Sequence, residues 1–146
     1  MVNADQSKAL VRRFYDEVCN AKNLGIADEL YSPDHKVHDP LLQMPIGPKG
    51  IKQMIGMFQK AFDNARWSIE EMHSSADGEM VTVRWIGSGT HTGELMGIQP
   101  TRKPVEVTGM TLFRIRGNRI VESWNSWDTL GMLQQIGAIQ PTVLMA

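Results

Sequence analysis

Gly117-Asn-Arg-Ile-Val-Glu-Ser-Trp-Asn-Ser-Trp-Asp-Thr-Leu-Gly-Met-Leu-Gln-Gln-Ile-Gly137 carries a turn, an aromatic-rich strand and a helix in one run. Gly117-Asn118 suits a tight hairpin connection. Arg119 to Trp127 reads as the strand that leaves it. Asp128 stands where this strand gives way to a helix beginning at Thr129, which is a helix N-cap position.

Working back from that stretch, Lys103–Ile115, Glu79–His91 and Trp67–Ser75 read as three more strands, with Asp77-Gly78 supplying another turn. In the second of these, Val81, Val83 and Trp85 alternate with Thr82 and Arg84, so odd positions face apolar surroundings, and His91 shares their parity. The run Gly93–Pro104 is too rich in glycine and proline to continue a ladder. It is expected to be a long loop bordering a pocket mouth.

The first half is helical in pattern. Leu10, Val11, Phe14, Tyr15 and Val18 place one apolar stripe on a helix from about Asp5 to Ala21. Gly25–Tyr31 predicts a short helix stopped by Ser32-Pro33, and Lys36–Asp39 a brief extended segment. Ile51, Met54, Ile55, Phe58, Ala61 and Phe62 mark a helical face from Pro48 to about Asn64. Helices first and an antiparallel meander second imply a single α+β domain over residues 1–146. Its expected form is a curved, mainly antiparallel sheet wrapped around two or three N-terminal helices, a cone with an internal pocket.

The 146 residues include 15 Lys plus Arg against 16 Asp plus Glu, a net charge of −1, with no long run of either sign. No basic face for nucleic acid or for a membrane surface is visible. Cys19 is the sole cysteine, which rules out an internal disulfide and suits a small buried residue. The N-terminus lacks a signal-peptide core and no window approaches the roughly 18 apolar residues of a membrane span, so the expected location is cytoplasmic.

Several segments together resemble the SnoaL-like polyketide cyclase (ester cyclase) family of the nuclear-transport-factor-2-like superfamily. They are Val37-His-Asp-Pro40, Gly47-Pro-Lys-Gly50, Gly89-Thr-His-Thr-Gly-Glu94 with Gly97-Ile-Gln-Pro-Thr101, and Gly117 through Val121-Glu-Ser-Trp124 to Asp128. The resemblance implies a cofactor-free aldol cyclisation. An aspartate, matched to Asp128, takes a proton from a carbon flanked by carbonyls, and the enolate closes a ring on another carbonyl. A mostly apolar pocket, here with Trp124 and Trp127, provides the desolvation such a base needs.

Each candidate has a plainer alternative. Asp128 is a general acid/base or simply the N-cap of the last helix. His91 donates a hydrogen bond to the enolate or is a satisfied core histidine. His38 is a polar pocket residue, Tyr15 a pocket or packing residue on the first helix, and Phe58, Trp85 and Trp124 candidate walls. Thr108 and Thr111 are polar residues available on the preceding strand, and no histidine occurs between residues 92 and 146. His35, His38 and Asp39 could be taken for metal ligands, but on an extended segment His35 and His38 point to opposite faces, so no metal is expected there, and the resemblance implies no cofactor.

The expected partner is a small hydrophobic, carbonyl-containing ligand. Two other functions stay open: a ligand-binding module of the same fold without chemistry, and an epoxide hydrolase or dehydratase using Asp39 and Arg114. Met110, Leu112, Trp127 and the tail Val143-Leu-Met145 offer surface to cover the sheet's outer face, which predicts a homodimer or tetramer.

Overall fold

The computed structural model describes residues 3–140, so the tail Val143–Met145 lies outside the described residues. Helix α1 spans Ala4–Arg13 and opens with a capping box: Asn3 Oδ1 accepts from the Gln6 amide at 2.9 Å, and Gln6 Oε1 accepts from the Asn3 amide at 3.0 Å. The helix continues through Phe14–Asn20 with a wider, i→i+5 winding. Its apolar stripe, Leu10, Val11, Phe14, Tyr15, Val18 and Cys19, is buried as the spacing requires.

Helix α2 is the short Ala27–Leu30, and α3 spans Pro48–Ala61, burying Ile51, Met54 and Ile55. Gly47 precedes α3 at φ 79°, and a Cβ there would stand 2.7 Å from the Pro33 carbonyl oxygen, so only glycine fits this close entry. Helix α4 is Thr129–Gln135.

Among the described residues five strands form one curved, open sheet: β1 Tyr31–His38, β2 Phe62–Ser74, β3 Met80–His91, β4 Pro104–Arg116 and β5 Arg119–Trp127, in the order β1-β5-β4-β3-β2. The four-stranded antiparallel meander is present, and β1 adds a fifth strand running parallel to β5. The sequence reading gave this segment only as Lys36–Asp39. Pro33 stops the helix before it, yet a proline is tolerated in an edge strand, where its missing N–H breaks no ladder. Strand β2 also starts earlier than expected, immediately after α3. Asn64 at φ 55° and a register shift between Asp63 and Arg66 allow that turn.

The pleat sorts side chains cleanly. Val81, Val83 and Trp85 of β3 face Phe113, Thr111 and Gly109 of β4, which in turn face Ser123, Asn125 and Trp127 of β5. This concave face holds α1 and α3, and Phe14, Tyr15, Tyr31 and Phe113 meet edge to face at 4.9–6.1 Å between ring centroids. Thr82, Leu112 and Trp124 form a row on the convex face, with Arg84, Met110 and Ser126 in the next. Trp127 is therefore an inward residue, not part of the outer apolar surface expected from the sequence.

The loop Gly93–Pro104 also differs from expectation. Leu95 is fully buried and packs with Val105, Val107, Met132 of α4 and Ile136 just after it. No residue of this loop lines the cavity described below.

Candidate active site

A cavity of about 90 Å³ lies between the concave sheet and the helices, with room for several water molecules. Its walls are mostly apolar: Phe14, Met54, Ile55, Phe58, Phe62, Trp67, Val105, Val107 and Met132 among others. Tyr15, Phe58 and Trp85, expected at the pocket, do line it. Tyr15 is almost fully buried, and burial pushes its phenol well above the ordinary range, so it stays a neutral hydroxyl.

Among the described residues lining the cavity, the one carboxylate is Asp39. It sits immediately after β1, where Asp-Pro opens a turn, and its Oδ1 accepts the backbone N–H groups of Leu41 at 2.9 Å and Leu42 at 3.0 Å. Its Oδ2 accepts from Asn125 Nδ2 at 3.0 Å and from Trp127 Nε1 at 3.1 Å. Four N–H donors thus fix the carboxylate, occupying roughly the four lone-pair directions it has.

The polar row continues inward along the register. Thr111 donates to Asn125 Oδ1 at 3.0 Å and accepts from Trp85 Nε1 at 3.0 Å. Trp127 crosses Phe58 edge to face at 5.8 Å, closing the apolar side of the same corner. Gly109 makes room for the Trp85 indole: a Cβ there would lie 2.3 Å from Trp85 Cζ2.

The other sequence candidates stand elsewhere. Asp128 is exposed and caps α4, its Oδ1 accepting from the Gly131 amide at 2.8 Å. It borders a shallow depression on the outer face with Arg84 and Met110. Trp124 and His38 are on the convex face, stacked at 5.3 Å with 12° between planes, outside the cavity. Glu122 joins them, 2.7 Å from His38 Nε2 and 3.0 Å from Arg114 Nη1, and the His38 contact above all lowers the Glu122 carboxyl below its usual range.

His91 is inward and fully buried, yet it does not line the cavity; Phe62 packs against its ring at 5.5 Å. The Thr101 amide donates to its Nδ1 at 3.2 Å, which leaves the proton on Nε2. That atom has no partner among the described residues.

His35 and His38 point to opposite sides of the sheet. His35 is buried, 2.9 Å from Ser123 Oγ, and burial lowers its imidazole to about 4. Among the described residues no cluster of three or more His, Cys, Asp or Glu could hold a metal ion. Cys19 is buried, and burial pushes its thiol well up, so it stays protonated. No helix among the described residues is long and apolar enough to cross a membrane.

Asn125 is the site residue that reading the sequence passed over. The usable signal was the alternation of β4, where Thr111 interrupts the otherwise apolar and glycine inward positions and so marks a buried polar row on its neighbours too.

Comparison with known proteins agrees with this architecture. Residues 9–136 match the SnoaL-like polyketide cyclase family. The nogalonic acid methyl ester cyclase of Streptomyces nogalater is 30% identical over 113 residues, covering 75% of this chain and 82% of that protein. The aklanonic acid methyl ester cyclase of Streptomyces peucetius is 26% identical over 137 residues, covering 91% and 92%. The crystal structure of a proposed SnoaL-like polyketide cyclase from Jannaschia sp. CCS1 superposes with a TM-score of 0.84 at 20% identity, covering 95% of this chain and 96% of that one. With the family match spanning both the helices and the whole meander, the chain belongs to the SnoaL-like polyketide cyclases.

Proposed function

We propose that this protein closes a ring in a small hydrophobic polycarbonyl compound by a cofactor-free intramolecular aldol reaction, with Asp39 as the general acid/base. The observation that carries this reading is the placement of Asp39: a carboxylate on the wall of an apolar cavity, oriented by side-chain and backbone N–H groups. Asp128, the base implied by the resemblance, is exposed and engaged in capping α4, which favours Asp39 for the role.

The reaction is written as follows. Asp39 Oδ2 takes the proton of a carbon flanked by two carbonyls, and the C–H electron pair passes into an enolate. The enolate carbon attacks a second carbonyl of the same molecule, and the resulting alkoxide recovers the proton from Asp39. Since Oδ2 already accepts two N–H bonds, one of these donors transfers to the substrate oxygen as the carbon acid enters. The methyl esters named for the two related cyclases are the natural test substrates.

The test is turnover of aklanonic and nogalonic acid methyl esters followed by product chromatography. Asp39→Asn is expected to lower turnover by at least about 100-fold, and Asp128→Asn by less than about 3-fold. The opposite pattern would put the base at Asp128.

A second reading, a binding module without chemistry, draws on the four N–H bonds already made by Asp39. It predicts saturable binding of the same esters with no product. We further propose that two copies pair through the convex face around Met110 and Leu112, where Met110 is 49% exposed.

A further inference from the structure

We propose that Asn125 is the donor that receives the substrate's carbonyl oxygen as it gains charge, and that Asp39 on one side and the Trp85–Thr111 pair on the other fix which way Asn125 faces. The proposal rests on the ring-closing role of Asp39 and deepens it.

The orientation follows from donor and acceptor counting. An indole N–H donates and never accepts. Trp85 Nε1 is 3.0 Å from Thr111 Oγ1, so at that contact the threonine oxygen is the acceptor. A hydroxyl carries one proton, and Thr111 gives it to Asn125, 3.0 Å away. The atom of Asn125 on that side is thereby the carbonyl oxygen, and the NH2 group faces Asp39.

One N–H of this NH2 meets Asp39 Oδ2 at 3.0 Å, while among the described residues the other finds only Met54 Sδ, at 3.8 Å. A thioether is a weak acceptor. A good donor is therefore held on the cavity wall, beside the proposed base, with little to lose by turning to a carbonyl oxygen. When the proton leaves the substrate carbon for Asp39, negative charge appears on the oxygen of the same enolate, within the neighbourhood of this fixed N–H. Donors preorganised where charge develops contribute more than mobile ones, because they need no reorientation during the reaction.

The direction of the relay is built into the sheet. Trp85, Thr111 and Asn125 occupy one inward band across β3, β4 and β5, with Thr111 directly opposite Asn125. Trp85 is opposite Gly109, and a side chain at 109 would occupy the place of its indole. The ligand class that fits is a carbonyl compound with an acidic C–H next to the carbonyl.

Thr111→Val keeps the shape and removes the hydroxyl, and Thr111→Ser keeps the hydroxyl. With aklanonic acid methyl ester, T111V is expected to lower kcat about 10- to 100-fold with KM within about 3-fold, and T111S to restore kcat to within about 3-fold of wild type. In the same proteins, 15N-resolved spectra of the Asn125 side-chain amide are recorded with 1,8-dihydroxyanthraquinone, a non-reacting probe that presents carbonyl and phenol oxygens. The expected shift of one amide proton occurs in wild type and T111S and is lost in T111V. Trp85→Phe, which removes the indole N–H donor along with one ring, serves if T111V does not fold, and is expected to lower kcat in the same direction.

A T111V or W85F protein with wild-type kcat and an undisturbed amide shift overturns the proposal. The Asp39→Asn variant separates this from failure of the ring-closing reading. If it too turns over normally, Asp39 is not the base; if only the relay variants are normal, the role of Asn125 alone falls.

Discussion

Asn125 Nδ2 stands 3.0 Å from Asp39 Oδ2 across 86 residues of chain. Parallel pairing of β1 with β5 creates this contact: Val37 is in register with Ser123 and His38 with Trp124, so the next residue of each strand direction meets at the mouth of the polar row. An antiparallel β1 would not have delivered Asp39 to the same end of β5.

Trp127→Phe keeps an aromatic ring near Phe58 but removes the N–H from which Asp39 accepts at 3.1 Å. Loss of a hydrogen bond to a carboxylate is expected to cost about 1–2 kcal/mol of stability, read as a lower urea midpoint with an unchanged slope. An unchanged midpoint would mean that water replaces the indole N–H without loss.

Gly109→Ala puts a methyl group where Trp85 lies, 2.3 Å from Cζ2. The indole must move, at a cost of about 1–3 kcal/mol, and the tryptophan emission maximum should shift with it. Combining it with Trp85→Phe should recover part of that loss, since the smaller ring vacates the space.

His35 gives the protein a pH dependence whose sign is set by its burial. Its folded-state value is near 4, below the ordinary 6.5, so the unfolded chain binds more protons between these limits. Stability from this group is fully present above about pH 6.5 and is lost as pH falls toward 4, by as much as about 3 kcal/mol. His35→Asn should flatten the pH profile of the unfolding free energy across that window. A profile as steep as wild type would show that other groups cause the acid sensitivity.

Asp128→Ala removes the side-chain acceptor for the Gly131 amide at the start of α4. The expected effect is a loss of about 1 kcal/mol, with Asp128→Ser recovering most of it, because serine also caps. Failure of serine to recover stability would argue for a role of Asp128 beyond capping.

Met110→Glu places a negative charge on the convex face, between Arg84 and Ser126 and one row from Leu112. If two copies pair there, sedimentation should change from dimer to monomer, since two like charges meet across a two-fold axis. A wild-type protein that is already monomeric at high micromolar concentration would remove the pairing from consideration.

The helical stripe of α1, the face of α3 and the period-two pattern of β3 and β4 were legible in the residues themselves. Their periodicities report which side of an element meets the core, and that property is local. The same local reading named Tyr15, Phe58 and Trp85, and these three line the cavity. It also supplied the capping alternative for Asp128, which depends only on its place before a helix.

What the sequence alone determined is thus the alternation, the caps and turns, and membership of an α+β family. Only the tertiary structure decided which carboxylate meets the cavity. Parallel pairing of a short edge strand, a contact between residues far apart in the chain, carried Asp39 to Asn125 and Trp127. Which parity of β5 met the helices placed Trp124 outside and Trp127 inside. Register across strands is a long-range property, fixed by how whole faces bury, and no window of sequence contains it.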